Sequence, residues 1–250
     1  HIEGFATASR TRFIVGGTLG YDNTVEFVTI ASTGDSQDFG DLSQGRRNSH
    51  GSSNGTRGIV SGGLISGSPY AAVNTIDYVT IAQTGNFKDF GDLAITLGGG
   101  TNQCNSQTRA VHIGGSTGAS PNISASNVMN YITMSTTGNA SDFGDCATAN
   151  NRGSASNSVR AVIGDAGAAT FITIATLGNT QEFADTIGDR SYQTACASPT
   201  RVVWGGGETA PPVNTMDYVQ IMSAGNSVDF GDLTDPRFNA FASSNGHGGL

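Results

Sequence analysis

A chain of 250 residues with a formal net charge of −8, one lysine (Lys88) and scattered arginines has no clustered basic face for DNA or RNA, so nucleic acid is excluded as a partner. No apolar run approaches the roughly 20 residues of a membrane-spanning helix, and no signal-peptide pattern opens the sequence, so a soluble body without membrane insertion is expected. Cys104, Cys146 and Cys196 match neither a disulfide framework nor zinc spacing and are read as small buried residues.

Taken in order, the chain opens with two short β-prone runs, Phe5-Ala6-Thr7-Ala8-Ser9 and Arg12-Phe13-Ile14-Val15, the second ending in Gly16-Gly17. A third run, Phe27-Val28-Thr29-Ile30, follows a loop, and Phe39 to Leu42 mark a fourth. The same succession returns with Thr56-Arg57, Gly62-Gly63, Tyr78 and Phe90, and again with Thr108-Arg109, Gly114-Gly115, Tyr131 and Phe143. The fourth round is degenerate, with Arg160, Gly164-Asp165, Phe171 and Phe183; the fifth restores the pattern with Arg201, Gly205-Gly206, Tyr218 and Phe230. Each round closes on a version of TGNFKDFGDL, the stretch at residues 84–93.

A unit returning every 40 to 50 residues or so has the period of a propeller blade. The expected fold is all-β: a single five-bladed β-propeller of four-stranded antiparallel blades spanning residues 1–45, 46–96, 97–149, 150–188 and 189–236. Residues 237–246 match residues 46–55 and begin a sixth round. They are expected to close the ring by pairing into the first blade, with 238–244 as its innermost strand beside Phe13-Ile14-Val15, because closure removes exposed strand edges.

Recurrence in every blade points to scaffold rather than site. Half of the 20 acidic residues are the paired acids of the repeat, such as Asp89 and Asp92. They are read as partners of the five repeated arginines or as backbone caps rather than calcium ligands, since the full D-x-[DN]-x-[DN]-G pattern is missing. The Gly-Gly pairs lack the Lys and the helix of a phosphate loop and are read as turn glycines. No metal, cofactor or catalytic set is expected: the acids outside the repeat are scattered and form no recognisable pair for glycoside hydrolysis.

Function is therefore sought where the blades differ. The loops between second and third strands, at residues 18–22, 64–73, 116–126, 166–168 and 207–213, are unequal and leave from the same end as the crossovers between blades. They carry Tyr21, Tyr70, Pro121, Asn122 and Glu208, the candidate ligand-binding residues. Trp204 is a further candidate, either stacking on a sugar or packing between blades, and His112 is read as a core histidine.

The combination of TGNxxDFGDL, S-x-x-x-TR-x-V-x-x-GG and NTxxYVTI resembles kelch-like repeats in tail-fibre and other structural proteins of tailed bacteriophages, marine and cyanobacterial ones above all. The resemblance covers nearly the whole chain. It departs at Asp165, Glu182 and Ala184 in the fourth blade, and at Leu97, where Arg46 and Arg237 stand elsewhere. It implies a virion or extracellular location, other virion proteins as partners, and a non-enzymatic role in adhesion to a host-surface glycan or protein. A purely architectural decoration module and a five-bladed glycoside hydrolase are the alternatives.

Overall fold

A computed structural model of the chain describes residues 4–17, 20–67, 69–99, 102–148, 153–165, 167–240 and 242–244. Five four-stranded antiparallel blades stand in a ring, a five-bladed β-propeller, with no helix among the described residues. Blade one comprises Phe5–Ala8, Arg12–Gly16, Thr24–Thr29 and Gln37–Asp41 from the axis outward. The inner strands of the other blades are His50–Ser53, Asn102–Asn105, Ser154–Ser156 and Thr194–Ala197. Their outer strands are Lys88–Asp92, Ser141–Asp145, Gln181–Asp185 and Val228–Asp232.

The D-F-G stretch recurs because each outer strand carries a β-bulge there. In blade two, Asp89 pairs with Asp77 and Gly91 with Ile76, which leaves Phe90 as the extra residue; Phe39, Phe143, Phe183 and Phe230 are bulged in the same way. The bulge turns the ring onto the aromatic of the third strand, as in the edge-on contact of Tyr78 with Phe90 at 5.8 Å. Gly91 adopts φ 141°, and a Cβ there would lie 2.5 Å from the backbone of Gly138 in the next blade, so a side chain is barred by both conformation and space.

The repeated arginines do not pair with the repeated acids. Arg57 lies over the Tyr78 ring at 4.5 Å and donates from Nη1 to the Met134 carbonyl of the next blade at 2.7 Å. Arg12, Arg109 and Arg160 do the same with the Ile81, Ile174 and Ile221 carbonyls. The carboxylates at Asp38, Asp89 and Asp142 lie exposed on the outer strands. An arginine that sits on an aromatic face and meets a carbonyl of the neighbouring blade is partly desolvated and tied to two blades at once, whereas the acids stay hydrated.

Among the described residues, two ion pairs are instead buried inside blades. Arg46 meets Asp77 at 3.0 Å with both side chains fully buried, and Arg190 meets Asp217 in blade five. Blade three has Leu97 and Asn130 in the corresponding places, both buried, so the departure at Leu97 is matched by the loss of the carboxylate.

The ring does not close as the sequence predicts. Phe5–Ala8 forms the inner strand of blade one itself, with Ala6 opposite Val15, Thr7 opposite Ile14 and Ala8 opposite Phe13. The four residues before the first Thr-Arg turn suffice for a strand, so the edge beside Phe13-Ile14-Val15 is already taken. The C-terminal segment lies along blade five: Ser244 Oγ donates to the Ala197 carbonyl at 2.5 Å, and Asn239 N–H to the Tyr192 carbonyl at 3.0 Å. Phe241 and residues 245–246 of the predicted closing strand lie outside the described residues. Six segments consequently surround the axis, the five inner strands and residues 242–244.

Candidate functional site

Second-to-third-strand loops and inter-blade crossovers emerge at one end of the propeller, as alternating strand direction requires, and there they surround an axial cavity of about 620 Å³. That volume lies within the range of small-ligand sites, ~300–1,000 Å³. Segments from all five blades reach it: Gly4–Ala6, Arg47–Gly51, Gln103, Gly153 and Ser154, and Thr194 and Ala195. From the variable loops come Tyr70, residues 116–118, Ile123 and Glu208, and Phe238–Ala240 complete the wall.

The charged groups of this wall are few. Arg47 is the permanent cation and Glu208 the one carboxylate among its described residues. The Arg47 guanidinium lies 4.8 Å from the Tyr21 ring centroid and 6.0 Å from that of Tyr70, so two aromatics hold it from different loops. Glu208 is fixed through its backbone, bridged to Ser191 by hydrogen bonds of 2.8 and 3.1 Å. The remaining polar wall is made of amides and hydroxyls, among them Asn48, Ser49, Gln103 and Gln193. Ile123 and Tyr192 add exposed apolar surface at 43% and 37%.

The imidazoles in and beneath the wall are buried. His112 is buried, with Nδ1 2.8 Å from Ser61 Oγ and 3.0 Å from Gln103 Nε2, and burial lowers its pKa to about 3 with a further push from nearby His50. Burial also brings His50 down to about 4, so both imidazoles are neutral at pH 7. Burial raises the thiol pKa of Cys104 and Cys196, as expected of inert cysteines.

The predicted site residues separate into three groups. Tyr70 and Glu208 line the cavity, and Tyr21 supports it through Arg47. Pro121 and Asn122 are exposed at the tip of the hairpin formed by Arg109–Ala119 and Asn122–Thr133, which lays Ala119 against Ala71 of the blade-two loop. Trp204 is fully buried, and its Nε1 donates to the Gly153 carbonyl of blade four at 2.9 Å, so it packs between blades and does not face a ligand. Of the predicted loops, Thr18, Leu19, Ser68 and Ala166 lie outside the described residues.

Sequence reasoning passed over the crossovers. Arg47, Asn48, Tyr192 and Gln193 belong to the linkers between blades rather than to the variable loops, yet they form much of the wall. Asn48 and Tyr192 adopt φ 54° and 56°, left-handed turns that set the path of the linkers over the cavity. The available signal was topological, since crossovers and variable loops must share one end.

No family profile matches the chain, and no curated protein is similar to it. Among solved structures the chain is similar to one titled "Structure of YjhT", with a TM-score of 0.78 and 9% identity over 97% of this chain and 87% of that one. At such identity the likeness is one of fold.

Proposed function

We propose that the chain is a non-enzymatic adhesion module that binds a host-surface glycan in the axial cavity of the variable-loop face. The observation that carries this reading is the cavity itself: about 620 Å³, walled by amides, hydroxyls, Tyr70 and the Arg47 guanidinium. Such a wall suits a polyhydroxylated ligand, which needs many neutral hydrogen-bond partners and an aromatic face against its apolar C–H surface. Placement on a virion rests on the resemblance of the repeat to phage structural proteins.

Binding is favoured over hydrolysis because two carboxylates about 5 to 10 Å apart are required to cleave a glycosidic bond, and Glu208 stands alone among the described wall residues. The test is a glycan array probed with the wild-type chain and with Tyr70→Ala, followed by incubation of any bound glycan with the protein. Selective binding that Tyr70→Ala abolishes, with the glycan left intact, is the expected result. Binding undiminished by the substitution moves the site elsewhere, and release of reducing ends overturns the non-enzymatic reading.

A further inference from the structure

Three joints between consecutive blades are built alike, and the fourth, where Ala184 replaces the bulge glycine, shares their side-chain contacts. The Gly-Asn turn of one blade (T-G-N in blades two and three, L-G-N in blade four) donates backbone N–H to the bulged Phe carbonyl of the blade before it, as Gly85 does to Phe39, Gly138 to Phe90 and Gly178 to Phe143, at 2.7 to 2.8 Å. The turn Asn accepts from the same strand, as Asn139 Oδ1 does from Asp92 N–H at 3.0 Å, and Asn226 continues this from Asp185 at the fourth joint. The preceding Arg reaches over to the next third-strand carbonyl, and the aliphatic residue there is buried.

Among the described residues the seam between blade five and blade one lacks this joint, and both flanks are exposed. Phe230 is 50% exposed where its four counterparts are at most 6% exposed, and Gly231 faces open space where Gly91 touches the next blade. Across the seam Ile30 is 53% exposed, whereas Ile81, Met134, Ile174 and Ile221 are buried. Arg201 lies over Tyr218 at 4.6 Å like its counterparts but remains exposed.

The inner part of one more unit is nonetheless in place. Ser244 Oγ donates to the Ala197 carbonyl at 2.5 Å, the same bond that Ser53 Oγ makes to the Ala8 carbonyl at 2.5 Å between blades two and one. Gly207 N–H donates to the Arg237 carbonyl at 2.8 Å as Gly63 N–H does to the Leu97 carbonyl at 2.7 Å, so the linker leaves blade five on the path it takes between blades two and three. Arg237 holds the place of Arg46 in that linker. It lies exposed 3.8 Å from exposed Asp235, where Arg46 is buried against third-strand Asp77.

We propose that this seam is the docking site of a sixth four-stranded unit of the same repeat, joined covalently to the C-terminal segment. A second copy of the chain does not fit, because it brings its own inner strand to a position that residues 242–244 occupy. The docking unit carries a T-G-N turn for Phe230 and Gly231, an aliphatic residue whose carbonyl receives Arg201, and a third-strand carboxylate for Arg237. Its own outgoing Arg and bulged Phe cover Ile30.

The test extends the full chain beyond Leu250 with a copy of residues 56–93 and compares it with the unextended chain by thermal unfolding and hydrogen exchange. The extension is expected to raise Tm by about 5 °C or more, with each kcal/mol worth about 2 to 4 °C in a chain of this size. Exchange is expected to slow at least about tenfold at both 30–36 and 228–232. The same extension on a chain carrying Arg201→Ala and Phe230→Ala is expected to lose the gain. Unchanged exchange at either flank, or a gain that survives those substitutions, overturns the proposal. So does an unextended chain that is already a dimer with both flanks protected, which assigns the seam to a second copy.

Discussion

Replacing Asp77 by Asn strands one of the most deeply buried charges in the molecule. Arg46 is fully buried and gives Nη2 to Asp77 at 3.0 Å and to the Val60 carbonyl at 3.2 Å, while its Nε and Nη1 have no hydrogen-bond partner among the described residues. Burial already lowers the guanidinium pKa, and Asp77 is what opposes that shift. Removing one member of such a pair costs about 3–5 kcal/mol, because the other charge stays desolvated, so Asp77→Asn and Arg46→Leu are each expected to lose that much. The double variant behaves differently, since blade three already contains it. Leu97 and Asn130 are buried there, and Asn130 Oδ1 accepts the Ala94 N–H at 3.2 Å just as Asp77 accepts the Ser43 N–H at 3.3 Å. Arg46→Leu with Asp77→Asn is expected within about 1 kcal/mol of wild type, a coupling of several kcal/mol in a double-mutant cycle. Urea unfolding of the four proteins, followed by far-UV circular dichroism and by Trp204 fluorescence, measures it, and coincident transitions establish two-state behaviour. A double variant no more stable than the weaker single one refutes the argument that charge burial, rather than the shape of the cavity, sets the cost.

Three further outcomes follow from the same packing. Phe143→Ala is expected to cost about 3–5 kcal/mol and Phe230→Ala less than about half of that, because the latter ring is 50% exposed; equal losses by urea unfolding contradict the open seam. Gly91→Ala strains a φ of 141° and drives a Cβ to 2.5 Å from Gly138, whereas Gly231→Ala meets only the strain of φ 129° in open space, so the blade-two variant is expected to lose several times more Tm. His112 and His50 have folded pKa values of about 3 and 4, below the free imidazole value of 6.5, so the unfolded chain takes up protons first as pH falls. Stability is therefore full above about pH 6.5 and lost below it, by about 1.4 kcal/mol per pH unit for each ring. His112→Gln is expected to flatten that decline between pH 6.5 and 4.5 in urea titrations, and a parallel profile contradicts it.

The blades were legible because a repeat repeats its packing. Phe90 and Arg57 recur together since a bulge and an aromatic-seated guanidinium serve each joint, and Gly91 recurs where the backbone of the next blade comes close, as at Gly40 and Gly144, with Ala184 taking its place in blade four. The roles of the repeated acids were not legible: a carboxylate spaced evenly with an Arg reads as its partner, but Arg57 faces Tyr78 and Met134 while Asp89 lies exposed on the outer strand. Ring closure misled for a related reason. Residues 237–246 match 46–55, and 242–244 of them do take the equivalent position at the axis, yet Phe5–Ala8 already serves blade one, which composition of the short first segment did not reveal. At the cavity, Tyr70 and Glu208 were marked by their loops, while Arg47 and Tyr192 lay in linkers whose variation looks like spacing between repeats.

The most direct measurement for the central claim is a calorimetric titration of the best glycan from the array into wild type, Arg47→Ala, Glu208→Gln and, at the opposite end of the axis, Ser156→Ala. A site in the variable-loop cavity predicts affinity losses of about tenfold or more for the two wall variants, ~1.4 kcal/mol each, with wild-type affinity for Ser156→Ala. Equal affinity for all four proteins, or a loss confined to Ser156→Ala, contradicts it.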